Sequence, residues 1–412
     1  MNKQKLFVAS CISLLTGSMI FAIRGDIGDA MSTAFQIKNE QLGLIWGPAF
    51  WGFTIAIFIS GLIIDAVGMK FLHILSALGY IVGVALVLVA PYPTAPVDSI
   101  FSNTGTLMVF IGFTIMGLSQ GLVEGVVNPM IATIYNDQRI RKLNLMHAWW
   151  PGGMAVGGIV AVVLTHTIHA SWQIKLSTLL IPAVIYLIMA LTSEYPKTER
   201  VTSNVSFGAM CGQIFRPMFI LIFICMWMTA ATELGPNQWF PVIMKDVTGI
   251  QGVTFLIYTA GLMFLLRQFL SGAVHRALSP FAVLTLGSIV AAVGLLWLGS
   301  LHAGASIAVA FAASTVFTLG VAFFWPTMLG ITADLFPKGG ALLISLVGGA
   351  GMLSIAVALP IMGAKIDEMG AGNAGEALKL MARLPVILTV IFAIVYLGYR
   401  AKGGYKAGQM HE

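Results

Sequence analysis

The chain has 412 residues, 58% of them hydrophobic and 9% charged, with a mean hydropathy of +0.92. Soluble domains carry about 25% charged residues, so this composition excludes a water-soluble enzyme and makes lipid the natural solvent. The net charge of +6 comes from basic residues scattered singly among apolar stretches, which excludes nucleic acid as a partner and leaves the charge as a topology signal.

A bilayer core of roughly 30 Å takes about 20 apolar residues per helix. On that basis the chain reads as spans over 5–31, 40–64, 71–91, 104–134, 142–167, 173–193, 217–243, 250–273, 280–300, 304–333, 340–363 and 383–401. The two-residue alternation of a membrane β-barrel is absent. The expected fold class is an all-α polytopic membrane protein, twelve helices in two six-helix bundles. The polar stretch from Glu194 to Arg216 divides the chain into residues 1–194, a linker over 195–216 and residues 217–412, the layout of a transporter built from parallel repeats.

Span 1 follows Lys3 and Lys5 in the manner of a signal peptide. It runs on without a small-residue cleavage site, so it is read as a membrane helix. Cys11, Cys211 and Cys225 show neither a CxxC pair nor metal-ligand spacing, and no disulfide, metal or cofactor is expected. With the amino terminus inside, 14 of the 22 Lys and Arg residues fall on inner segments and 6 on outer ones, which predicts both termini in the cytoplasm. Span 1 ends in Arg24-Gly25-Asp26-Ile27-Gly28-Asp29.

Between spans 2 and 3 lies Gly61-Leu-Ile-Ile-Asp65-Ala-Val-Gly68-Met-Lys70. Glycine permits a tight turn and a close crossing, while the aspartate can accept from helix-end amides or meet a cation on a neighbouring span. At this place in a six-plus-six chain, the pattern resembles the signature loop of the major facilitator superfamily, G-x3-D-x2-G-x-[RK]. The resemblance implies a gating role for Gly61, Asp65, Gly68 and Lys70, bracing the cytoplasmic face while the site is open outward. Gly272-Ala-Val-His275-Arg276 after span 8 is a weaker echo in which histidine replaces the acid.

Span 4 carries Gly117, Gly121 and Gly125, small residues every four positions that suit close helix packing. It also carries Gln120, Glu124 and Asn128 at i, i+4 and i+8, a polar stripe expected to line one cavity. An ionisable group within a span costs about 2.5–3.5 kcal/mol on insertion scales and is a functional candidate by default. Glu124 is the best proton carrier in the chain; a structural hydrogen bond to a neighbouring span is the alternative.

The run Glu124-x3-Asn128-Pro129, then Leu143-Asn144-Leu145 opening span 5, and Phe324-Trp325-Pro326-Thr327 in span 10 resemble the fucose permease group of sugar:proton symporters. Arg267-Gln268-Phe269-Leu270-Ser271-Gly272 matches that group's span-8 end loosely. The resemblance implies that Glu124 couples protons together with an aspartate late in span 1. Asp26 fits by its distance from span 2 and Asp29 by local pattern, and both stand as candidates. Arg24 is a departure from the group, a fixed cation able to hold a nearby aspartate ionised.

Span 5 offers Asn144, His147 and Pro151 at i, i+3 and i+7, with Trp149 and Trp150 adjoining. Hydrogen-bonding side chains beside an aromatic plane suit a sugar, and His147 can also titrate; structural and interface-anchoring roles are the alternatives. Span 7 reads Thr232-Glu233-Leu-Gly235-Pro236-Asn237-Gln238-Trp239-Phe240-Pro241. The two prolines predict a broken helix exposing Glu233, Asn237 and Gln238 to a cavity. In span 10, one ring, Trp325, is expected in the cavity. Arg267 is read as a snorkelling, structural residue.

These features predict a secondary transporter working by alternating access, with proton-coupled uptake of a monosaccharide or small glycoside as the leading reading. An exporter or antiporter of a non-sugar solute and a sodium-coupled sugar symporter are the alternatives. The expected partners are a small-molecule substrate, a co-transported proton or sodium ion, and the lipid of the cell membrane, with the protein acting as a monomer. Protease motifs and a Walker loop are missing, so neither an enzyme nor an ATP-driven pump is expected.

Overall fold

A computed structural model of the chain describes residues 1–250, 252–370 and 373–407. All regular structure among them is helical. Twelve helices are long and apolar enough to cross a membrane: span 1 (Lys3–Phe35), span 2 (Glu40–Val67), span 3 (Met69–Leu88), span 4 (Thr104–Ile134), span 5 (Asn136–His166), span 6 (Trp172–Leu191), span 7 (Pro217–Phe240), span 8 (Val253–Ala277), span 9 (Pro280–Gly299), span 10 (Ile307–Leu335), span 11 (Pro337–Met369) and span 12 (Glu376–Ala401). They coincide one for one with the spans expected from hydropathy. The margins differ where helices outrun the lipid-facing stretch, as in span 1, which gains six residues in all.

Local chemistry sets several of the ends. Asn2 accepts from the Lys5 amide and Asn103 from the amides of Gly105 and Thr106, satisfying helix donors that have no partner of their own. Pro217 and Pro280 open spans 7 and 9, where a missing N–H costs nothing. Gly68, at φ 84°, ends span 2 and starts span 3 with no intervening loop, a backbone conformation that side chains with a Cβ rarely adopt.

The interior is one continuous apolar cluster running through both halves of the chain. Outside it, large apolar residues stay uncovered, among them Ile181, Ile394 and Phe269 at 65%, 66% and 71% exposure. Exposed apolar surface on this scale belongs against lipid. The glycine stripe of span 4 packs directly on span 2. A Cβ at Gly117 would lie 2.2 Å from the Pro48 carbonyl oxygen, one at Gly121 2.3 Å from that of Phe53, and one at Gly125 1.7 Å from Ser60 Oγ.

Spans 1–6 and 7–12 form the two bundles, which meet along spans 2 and 11 and along spans 5 and 8. At the first seam Gly61 packs on Ser345 and Gly349 on Phe58; at the second Gly152 packs on Phe264. Trp149 meets Phe264 edge-on across the same seam, with ring centroids 5.4 Å apart.

Span 7 departs from expectation. Its helix is continuous from Pro217 to Thr248, through both prolines that were expected to break it. Within this stretch, Asn237 Nδ2 donates to the Glu233 carbonyl at 2.7 Å. This side-chain bond adds a donor to the turn that holds Pro236, whose missing N–H removes the bond to the Thr232 carbonyl four residues back.

Candidate functional site

The polar residues of spans 4, 5, 7, 8 and 10 converge between the bundles. Glu124 is 2% exposed, Asn128 0%, His147 2%, Glu233 3% and Arg267 1%. Asn128 Nδ2 donates to Glu124 Oε2 at 3.2 Å, which leaves its Oδ1 as acceptor for His147 Nε2 at 2.8 Å. The amide orientation therefore fixes His147 as the donor of that pair. The His147 carbonyl in turn accepts from Arg267 Nη1 at 3.1 Å, and Arg267 Nη2 donates to Glu233 Oε1 at 2.7 Å. Arg267 Nε spends its proton on the Ala322 carbonyl of span 10, at 2.5 Å.

The result is one chain of contacts, Glu124 to Asn128 to His147 to Arg267 to Glu233, that begins in one bundle and ends in the other. Glu124, His147, Trp150, Glu233, Arg267 and Trp325 line a common pocket. Glu233 Oε2 and the Trp325 indole nitrogen point into buried space without a hydrogen-bond partner. A second cavity, of about 30 Å³, adjoins it, sharing Trp150, Glu233 and Leu234 and adding Asn237, Gln238, Phe21 and Phe50.

The expectation that Arg267 snorkels toward the interface does not hold. Its guanidinium is fully enclosed and is the cation that bridges the bundles. The only signal for this in the sequence is a basic residue inside a span, because its carboxylate partner lies 34 residues away. In span 10 Trp325 faces the pocket, Phe324 is 1% exposed, and the preceding Phe323 is half-buried with its ring edge-on to His275.

Four candidate residues stand apart from this constellation. Gln120 turns toward spans 1 and 3, where the Tyr80 hydroxyl donates to its Oε1 in a very short hydrogen bond, and it lines a separate pocket with Arg24. Asn144 donates to the Ile140 carbonyl at 2.9 Å and faces His275 Nε2 at 3.1 Å, a contact between the bundles nearer the chain termini. Asp26 is held by Lys175 Nζ at 2.7 Å and by Thr165 Oγ1 at 3.0 Å. Its cation is thus Lys175, and Arg24 instead stacks on aromatic rings. Asp29 is exposed.

The face that carries the termini is tied by charge. Asp65 accepts from Thr198 Oγ1 and Arg200 Nε, both at very short range, so the last turn of span 2 binds the segment between the bundles. Lys70 Nζ donates to the Leu191 carbonyl at 2.9 Å. Arg139 donates to Glu199 at 2.5 Å and to the Ala333 carbonyl at 3.0 Å, joining span 5 to span 10. Tyr405 donates to Asp334 at 3.1 Å; burial and that neighbouring carboxylate push its phenol well above the ordinary value, so it serves as a neutral donor. The echo, which the structure places in the last turns of span 8, also meets the first bundle, through the contact of His275 with Asn144.

Twelve helices long and apolar enough to cross a membrane, in two bundles with Glu124, Glu233 and Arg267 buried at the seam between them, define a polytopic membrane protein. The family model of the Major Facilitator Superfamily matches residues 6–359, and the chain belongs to that superfamily, whose members are transporters and not enzymes. No curated protein sequence matches the chain.

Among solved structures, the fold is similar to the E. coli fucose:proton symporter FucP, with TM-score 0.71, 16% identity and coverage of 94% of this chain and 98% of that one. It is similar to the proton:xylose symporter XylE, with TM-score 0.80, 12% identity and 95% coverage of each chain; this is also an E. coli protein. The human organic anion transporter MFSD10 matches with TM-score 0.72, 11% identity and coverage of 95% and 100%. At these identities the likeness is one of fold.

Proposed function

We propose that the chain is a proton-coupled importer of a monosaccharide or small glycoside, with Glu124 as the proton carrier. The observation that carries this reading is the position of Glu124: a fully buried carboxyl hydrogen-bonded to a neutral amide, with no cation in ion-pair contact, in a pocket walled by Trp150 and Trp325. Such a group can exchange a proton with the pocket. The indole faces supply planes for a sugar's C–H surface, while His147, Glu233 and the amides of Asn237 and Gln238 supply hydroxyl partners. Two proteins of similar fold, FucP and XylE, are described as proton symporters of sugars.

In this reading, residues 1–194 and 217–412 rock about the central site, with 195–216 as the cytoplasmic linker and both termini in the cytoplasm of a cell-membrane protein. The Asp65–Arg200 and Arg139–Glu199 pairs hold the inner face shut while the site takes up proton and sugar from outside. Protonated Glu124 favours the loaded state, and loss of the proton inside releases the substrate. Gly61, Gly68 and Lys70 serve the same latch through their packing, turn and carbonyl contact. Asp26, tied to Lys175, positions span 1 against spans 5 and 6.

The similarity of fold to an organic anion transporter favours one second reading, an exporter or antiporter of a non-sugar solute. Counterflow of a labelled sugar panel in proteoliposomes decides between them, with proton and sodium gradients imposed separately. Sugar accumulation under the proton gradient alone supports the proposal. Accumulation driven only by sodium, or exchange confined to non-sugar solutes, contradicts it.

A further inference from the structure

A second buried cation lies outside the network of Glu124 and Arg267. Arg24, in span 1, is 7% exposed, and among the described residues it has neither a hydrogen bond nor an ion pair. Its guanidinium carbon lies 4.4 Å from the ring centroid of Phe21, 5.5 Å from that of Trp46 and 5.7 Å from that of Phe50. The aspartate two residues on is already committed to Lys175. Aromatic faces attract a cation, but they do not replace the carboxylate that a buried guanidinium normally takes.

The surroundings of Arg24 are rich in donors. It lines a pocket with Tyr80 and Gln120 and no acidic residue. Because the Tyr80 hydroxyl occupies Gln120 Oε1, the amide points its Nε2 into buried space with no partner, and the buried indole nitrogen of Trp46 also lacks one. Gly17 makes the arrangement possible, since a Cβ there would fall 1.4 Å from Gln120 Oε1. Two donor groups, the Arg24 guanidinium and Gln120 Nε2, therefore belong to one pocket whose lining offers them no carboxylate, with the Trp46 ring beside the guanidinium. Phe21 and Phe50, whose faces cover Arg24, also wall the central cavity.

We infer that this pocket is the carboxylate subsite of the transport site, and that the transported sugar is an acidic one, of the uronate or aldonate class. A carboxylate presents two oxygens to the guanidinium fork and can accept a further bond from Gln120 Nε2. The inference rests on the sugar-transport reading for the rest of the ligand, while the subsite itself rests on Arg24 and its neighbours.

The test is thermal unfolding of the purified protein with D-glucuronate, its neutral isostere D-glucuronamide, or D-glucose. Glucuronate is expected to raise Tm and to bind about tenfold more tightly than the amide, as a charge-assisted pair implies. Arg24→Gln should abolish that preference, and Arg24→Lys should restore part of it. Equal binding of acid and amide, or an equal weakening of all ligands in Arg24→Gln, overturns the subsite. If no hexose derivative binds, the sugar reading fails, and succinate and benzoate then judge the subsite alone: binding that needs Arg24 sustains it, and no binding overturns it. Should Arg24→Gln not fold, Gln120→Glu places a competing carboxylate in the pocket that Arg24 lines. It should raise Tm and eliminate the glucuronate shift; a retained shift contradicts the inference.

Discussion

Two glutamates face one pocket, and the protein treats them differently. Glu233 of span 7 shares its charge with Arg267 at 2.7 Å; Glu124 of span 4 has neutral neighbours, the Asn128 amide at 3.2 Å and the Trp325 indole across the same pocket. Removing one member of a buried ion pair leaves an uncompensated charge, whereas replacing a carboxyl by its amide at a neutral contact leaves a hydrogen bond of similar kind. The contrast supports the proposal that the span 4 acid exchanges the proton, while the span 7 acid stays paired and offers its free oxygen to the pocket. It also explains how the bundles can meet over buried charge and still separate, since the guanidinium reaches across to His147 through a single backbone carbonyl.

The contrast breaks first at Arg267. Arg267→Ala should cost about 3–5 kcal/mol, read as a large fall in detergent-solubilised Tm, and Arg267→Ala with Glu233→Gln should recover part of it. Full additivity of the two substitutions would show that the pair is not coupled. Gly121→Val comes next, because its Cβ would enter the space of the Phe53 carbonyl. Overpacking of this kind costs about 1–3 kcal/mol, and unfolding should show it without a change in ligand selectivity. At the terminal face, Asp65→Asn should weaken the hold on Arg200 and the linker with little loss of stability. Cys211, the one native thiol of the three that is not buried, reports it: alkylation at Cys211 should accelerate severalfold, and an unchanged rate would separate Asp65 from the latch.

Much of this architecture is legible in the residues. Hydropathy locates all twelve spans because lipid demands an unbroken apolar helix at each crossing, and the 117–121–125 glycine spacing marks a close helix contact. Side-chain direction is harder to read. Residues four apart drift by about 40° around a helix of 3.6 residues per turn, so Gln120 and Asn128 differ by about 80°. That is enough to send one toward Tyr80 and the other toward His147. The span 7 prolines suggest a break because a sequence cannot show Asn237 bonding to the Glu233 carbonyl. Arg267 invites a snorkelling role for the same reason: its partners Glu233, His147 and Ala322 are brought to it only by the packing of spans 5, 7, 8 and 10.

The most direct test of the central claim compares the intact protein with Glu124→Gln in proteoliposomes under an inward proton gradient, following accumulation and counterflow of the same labelled substrate. The account predicts that the variant exchanges substrate across the membrane but no longer concentrates it. A variant that concentrates substrate as well as the intact protein would contradict the assignment of Glu124 as the proton carrier.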